Sequence, residues 1–233
     1  VFAYLHTFDP HHPYKAHEAW ADELPPEATE PVQPPGWQAE QLAAQGPPPP
    51  DDAWADDLAF LHAERGRYDQ EVRYTDEELR ALFAELRARG LLEHAVVALV
   101  SDQGEGLWEH VRPNDPKKPL SESVPEQFFY QAHGQVQYQE VLATPFLLWG
   151  AGVPAGVRVT AAVENVDLAP TLLELADVAA LGDLHGRSLV ELARHGAGAR
   201  EWREHVFSNA TRFTSVRETA TGLKLVLPQP AAA

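Results

Sequence analysis

The 233 residues predict an α/β fold, and three observations carry that expectation. Ala95 to Val100 (AVVALV) and Phe146 to Trp149 (FLLW) are continuous apolar runs of strand length, the pattern of strands buried on both faces in a parallel-type sheet. Stretches with helical periodicity separate them. Three short β segments, His205 to Ser208, Thr214 to Arg217 and Leu223 to Leu227, close the chain and predict the start of a small C-terminal sheet.

Taken in order, Val1 to His6 (VFAYLH) reads as a buried strand that empties into a loop at Asp9, Pro10 and Pro13. Residues 21–60 hold Pro25, Pro26, Pro31, Pro34, Pro35 and Pro47 to Pro50 among acids, with no Lys or Arg between Lys15 and Arg65. Such a stretch builds no core and is expected to be a surface excursion, pinned at Trp20, Trp37 and Trp54. From about Asp57 to Arg89 the pattern turns helical: Leu79, Leu82, Phe83 and Leu86 share a face, and Gly90 is a natural stop. Thr75 and Glu78 have the spacing of a capping box. Residues 107–130 are polar and Pro-rich and read as a long loop. Val166 to Val178 reads as an amphipathic helix with Pro170 in its first turn, and Leu189 to Arg194 as a short one. The expected division is a domain over residues 1–198 and the start of a β subdomain over 199–233.

Eighteen Lys and Arg against 35 Asp and Glu give a net charge of −17, a field that opposes nucleic acid and anionic membrane surfaces. With no cysteine there is no disulfide, thiolate metal site or Cys nucleophile among these residues. No apolar run approaches the roughly 20 residues of a membrane span. The chain opens at Val1 inside an apolar run and contains no Met, so it is expected to be part of a longer protein. Nothing in it sets an oligomeric state.

Ligands of open α/β sheets gather beyond the carboxyl ends of strands, and three places here meet that condition. Asp102-Gln103 follows the run 95–100 directly. Its carboxylate and amide oxygens suit a hard cation such as Ca²⁺ or Mg²⁺, with Gly104 allowing a sharp turn. His11-His12 sits between prolines after the first apolar run, and His133-Gly134 precedes the run 146–149. Taken singly, a turn cap, a surface His pair and a loop His satisfy the same spacings. No His-x-x-x-His, Gly-x-Ser-x-Gly elbow, P-loop or dinucleotide fingerprint is present, which speaks against a zinc site, a serine hydrolase and a nucleotide fold.

Read together and in order, these segments resemble the sulfatase family of the alkaline-phosphatase-like superfamily. The resemblance runs through Tyr4-Leu-His-Thr-Phe-Asp-Pro-His-His-Pro-Tyr14, Val97-Ala-Leu-Val-Ser-Asp-Gln-Gly-Glu-Gly106 and His133-Gly134 to Tyr138-Gln-Glu-Val-Leu-Ala-Thr-Pro-Phe-Leu-Leu148. It continues through Asn165-Val-Asp-Leu-Ala-Pro-Thr-Leu-Leu-Glu-Leu175 and Gly186-Arg-Ser-Leu189. It implies a mixed, mostly parallel sheet flanked by helices, and hydrolysis of a small-molecule or glycan sulfate ester outside the cytoplasm. Asp102 would ligate a divalent cation, usually Ca²⁺, with Gln103 at the neighbouring ligand position. His11 and His133 would bind sulfate oxygens, and His133 would protonate the leaving alcohol. Two departures stand out. Gln103 replaces the usual His or Asn. The family's nucleophile, a Cys or Ser in a Cys/Ser-x-Pro-x-Arg motif, lies upstream of the first strand, as do two acidic metal ligands, and no such motif occurs here. Two rival readings follow: a phosphonate or phosphate-ester hydrolase or phosphoglycerol transferase of the same fold, and an inactive remnant that binds an anion.

Overall fold

The computed structural model of the chain describes residues 1–21, 55–111, 129–180, 182–196 and 202–229. They fall into two compact units, one of residues 1–85 with 105–132, the other of residues 86–104 with 133–233. The excursion expected at 21–60 lies almost wholly outside the described residues.

The first unit is organised on one long helix, α1 (Ala55–Ala88). Its length follows from a run of good helix formers uninterrupted by Pro. Thr75 and Glu78 do not start a helix here. The Thr75 hydroxyl donates to the Glu71 carbonyl one turn back (2.9 Å), as a threonine inside a continuous helix does. Beyond α1, Gly90 adopts φ +70°, and the Gly90 amide donates to the Arg87 carbonyl (3.0 Å), which ends the helix where the sequence predicts. Segment 14–20 is fastened to α1 by side chains that accept from its backbone. The Lys15 amide donates to Glu71 Oε1 (2.9 Å) and the His17 amide to Gln70 Oε1 (2.8 Å). Tyr14 meets Tyr68 edge-on at 5.3 Å, and His17 stacks on Tyr74 at 4.5 Å. β2 (Gly106–Val111) and β3 (Phe129–Ala132) form an antiparallel pair in the first.

Two expectations fail in this unit. Val1 to His6 is neither strand nor buried: Phe2 is 80% exposed and Tyr4 77%. An apolar run becomes a strand only when neighbouring strands take up its backbone groups, and none of the described strands pairs with it. Residues 107–111 and 129–130, expected in a loop, are strand instead, with Leu107 and Trp108 buried. Residues 112–128 lie outside the described residues.

In the second unit β1 (Val96–Val100) pairs with β4 (Phe146–Gly150) from Val96↔Gly150 to Val100↔Phe146. The pairing is antiparallel, as it is in all three described sheets, whereas the sequence predicts mostly parallel pairing. The short helix α2 (Gln139–Leu142) leads into β4. A turn of 3-10 helix (Asn165–Asp167) continues directly into α3 (Leu168–Leu175), with Pro170 in the first turn as expected. α3 ends three residues early because Asp177 takes φ +54°, and the Val178 amide folds back to the Leu173 carbonyl (2.9 Å). α4 (Val190–His195) buries Val190 and Leu192. The closing segments form the predicted small sheet, β5 (His205–Asn209), β6 (Phe213–Glu218) and β7 (Lys224–Pro228), antiparallel in that order.

Asp167, fully buried, ties this unit together. It accepts a two-pronged bond from Arg203 (2.6 and 2.9 Å), and its oxygens also take the Arg187 and Glu164 amides (2.8 and 3.0 Å). Arg203 pairs with Glu164 as well, so one nearly buried guanidinium joins the approach to β5 to the start of α3.

Candidate active site

β1 ends at Val100, and the chain turns sharply through Ser101–Gly104 in the second unit. Four contacts hold that turn. The Ser101 hydroxyl donates to the Gln103 carbonyl (2.6 Å), and the Gly104 amide donates to the Val141 carbonyl in α2 (2.8 Å). The Asn165 amide nitrogen donates to the Ser101 carbonyl (2.8 Å) and reaches the Asp102 carbonyl (3.4 Å). Thus the carbonyls of Ser101, Asp102 and Gln103 and the Gly104 amide are engaged, while among the described residues neither the Asp102 carboxylate nor the Gln103 side-chain amide is committed to a hydrogen bond. Asp102 is exposed and Gln103 half-buried.

Glycine is required at 104. A Cβ there would stand 1.9 Å from the Glu140 carbonyl oxygen and 3.1 Å from that of Ala143, both backbone atoms with no flexible end to yield. Gly104→Ala is expected to push the turn off α2 and cost about 1–3 kcal/mol, the range for overpacking. Chemical denaturation of the two chains checks it; an unchanged midpoint would contradict the close approach. Asn165→Ala is expected to be milder, about 1 kcal/mol for the lost bonds at an exposed site. It should also weaken cation binding more than stability, since it frees the backbone that aims Asp102; calorimetry on the variant reads both.

Asp102 and Gln103 line a cavity of about 470 Å³, within the range of small-molecule sites. Gly134, Thr144, Asn165, Asn209, Arg217 and Lys224 line it too. His133 is half-buried beside Gly134 but is not part of the lining. Its loop is held where the Thr211 amide donates to the Gly134 carbonyl (3.2 Å). His11 belongs to the other compact unit, where it is exposed. Its Nδ1 lies 2.7 Å from the His12 carbonyl oxygen. The structure therefore brings together Asp102, Gln103 and the loop of His133.

Asn165, Arg217 and Lys224 line the same cavity, and sequence reasoning gave them no role. Asn165 opens the family-like segment Asn165–Leu175, and Arg217 and Lys224 carry no local signal because they meet only through strand register, as directly opposed partners on β6 and β7. The Lys224 ammonium donates to the Gln137 carbonyl. Burial lowers its pKa from the usual lysine value; nearby Glu140 opposes that, and Arg217 adds to it. Burial, then Glu140, raises the Tyr138 phenol.

A divalent cation can be tested against these donors. Carboxylate and amide oxygens are the right kind for Ca²⁺ or Mg²⁺, and both are unspent. They supply two of the six to eight oxygens that Ca²⁺ takes, and no group of three or more His, Asp or Glu converges as a metal site among the described residues. Asp102 and Gln103 fit as part of a ligand shell.

Solved structures share the fold of this chain. A phosphonate monoester hydrolase from Silicibacter pomeroyi superposes with a TM-score of 0.52 at 18% identity, over 73% of this chain and 36% of that one. A protein solved with its substrate, D-glucosamine-2-N,6-O-disulfate, superposes at 0.50 and 19% identity, over 76% and 38%. The chain belongs to the sulfatase family, whose family model matches residues 1–178. Arylsulfatase K of Danio rerio is 33% identical over 118 residues, 51% of this chain and 19% of that protein. A Sulf-1 homolog of Caenorhabditis elegans, named as an extracellular sulfatase, is 27% identical over 168 residues, 69% of this chain. The chain spans about a fifth of the length of these two relatives (21% and 19%).

Proposed function

We propose that the chain serves the cation-assisted hydrolysis of a sulfate ester. One observation carries this reading: a strand-end turn, held by Asn165 and by Gly104 against α2, presents two unspent oxygen donors to a cavity of ligand size, in a member of the sulfatase family. Asp102 holds the cation, Ca²⁺ before Mg²⁺, through its carboxylate, and Gln103 does so through its amide oxygen, one methylene longer than the Asn usual there. A bound cation supplies charge neutralisation to the sulfate group as its ester bond breaks. His11 and His133 donate to sulfate oxygens, and His133 passes a proton to the departing alcohol, whose alkoxide is a poor leaving group. Residues 1–198 would form part of the catalytic domain and 199–233 the start of a C-terminal subdomain. The substrate would be a small molecule or glycan carrying a sulfate ester, met outside the cytoplasm as the name of the C. elegans relative suggests.

None of the 233 residues can form the covalent sulfate intermediate in the family manner: there is no Cys, and no Ser begins Ser-x-Pro-x-Arg. The chain by itself is expected not to turn over p-nitrophenyl sulfate. Joined to a nucleophile-bearing segment of the family it should do so, with His11→Ala and His133→Ala each lowering kcat by about 10²-fold. Turnover by the 233 residues alone above a buffer control, or full activity in either His variant, would contradict these roles. The fold shared with a phosphonate monoester hydrolase leaves that chemistry as the rival, and the same assay with p-nitrophenyl phenylphosphonate separates them.

A further inference from the structure

Arg217 and Lys224 face each other directly across β6 and β7, and both line the cavity that the Asp102-Gln103 turn enters. Two like charges opposed on a sheet repel, so the arrangement carries a cost unless something negative lies between them. Glu140 stands near Lys224 and supports its charge. For Arg217 the described residues supply no ion pair and no side-chain hydrogen bond, in a chain with 35 acidic residues to choose from. The surroundings in the cavity do not replace one. Glu164 also lines it, but its carboxylate is engaged by Arg203 and by the Phe207 amide (2.9 Å). Ser208 and Asn209, also in the lining, are neutral.

We propose that Arg217 and Lys224 form a subsite for a second anionic group on the substrate, distinct from the sulfate that is hydrolysed, so that the preferred substrates are multiply charged acidic compounds such as a disulfated saccharide. The proposal rests on the reading that the sulfate to be cleaved lies at the Asp102-Gln103 turn in the same cavity. Arg217 acts as a specificity residue: its flat guanidinium pairs with a sulfate or carboxylate through two parallel bonds, while the Lys224 ammonium, shared with the Gln137 carbonyl, adds a point charge. A substrate with one sulfate would leave the cation pair unanswered.

Calorimetric titration of the 233-residue chain with a glucose monosulfate and a glucose disulfate, each with and without Ca²⁺, tests the assignment. Wild type is expected to bind the disulfate about tenfold more tightly, the scale of one added charge-assisted contact. Arg217→Gln should remove most of that preference and leave monosulfate binding unchanged. It has no hydrogen bond to lose among the described residues, and its melting temperature should match wild type. Lys224→Gln should act in the same direction, with a small loss of stability from the Gln137 contact. An Asp102→Asn variant reports separately on the metal turn. If Arg217→Gln keeps the wild-type preference while Asp102→Asn abolishes the effect of Ca²⁺, the subsite is refuted and the hydrolytic reading stands. If Arg217→Gln removes the preference while Asp102→Asn changes nothing, the subsite stands and the cation reading falls. Equal binding of both sugars by wild type overturns the proposal.

Discussion

Asp167→Ala is expected to destabilise the second unit by about 3–5 kcal/mol, the cost of removing one member of a buried ion pair. The carboxylate is fully buried and receives four hydrogen bonds, two from the Arg203 guanidinium and one each from the Arg187 and Glu164 amides. Deleting it strands two backbone N–H groups and leaves Arg203, whose side chain is only 7% exposed, with Glu164 alone to answer its charge. Replacing both partners should be gentler: in Asp167→Ala/Arg203→Met no uncompensated charge remains, and part of the loss should return. The coupling between the two sites, read from urea denaturation of the four chains of the cycle, is the informative quantity. A single-variant loss below about 1 kcal/mol would mean that this carboxylate does not organise the unit.

The same residue shows what the sequence made legible and what it did not. Asp167 lies in the family-like segment Asn165–Leu175, yet its partner Arg203 is 36 residues away and nothing local links them. Elements set by short-range patterning came through. The apolar runs gave β1 and β4, the leucines of 79–86 marked α1, Gly90 ended it, and three alternating segments gave the small sheet. Elements that depend on partners did not. Val1 to His6 has strand composition but no pairing among the described strands, and Gly106 to Val111, with a Glu and a His among its residues, reads as loop until it is paired with Phe129 to Ala132. Strand composition is also silent on direction: β1 looks like a strand of a parallel sheet and pairs antiparallel with β4.

The candidate site divides along the same line. Asp102 and Gln103 could be found because a strand-end turn is a local feature, with apolar run, oxygen donors and glycine in immediate succession. The residues that hold or complete the site could not. Asn165 reaches the turn across 64 positions and Lys224 reaches Gln137 across 87, distances that only the folded chain closes.

The measurement that bears most directly on the account is calcium titration of Asp102 and Gln103 variants in about 0.15 M salt, where diffuse attraction to the −17 charge is largely screened. Asp102 supplies a full negative charge at a backbone position held by Asn165, and among the described residues no group of three or more His, Asp or Glu gathers as a metal site. Asp102→Ala should therefore abolish the specific binding isotherm, a loss of at least about tenfold in affinity. Gln103 offers a neutral amide oxygen, so Gln103→Asn, which shortens the reach to that usual in the family, should leave calcium affinity equal or higher. Should Asp102→Ala bind calcium as wild type does, or Gln103→Asn lose it, the assignment of the Ser101–Gly104 turn as the cation site would be wrong.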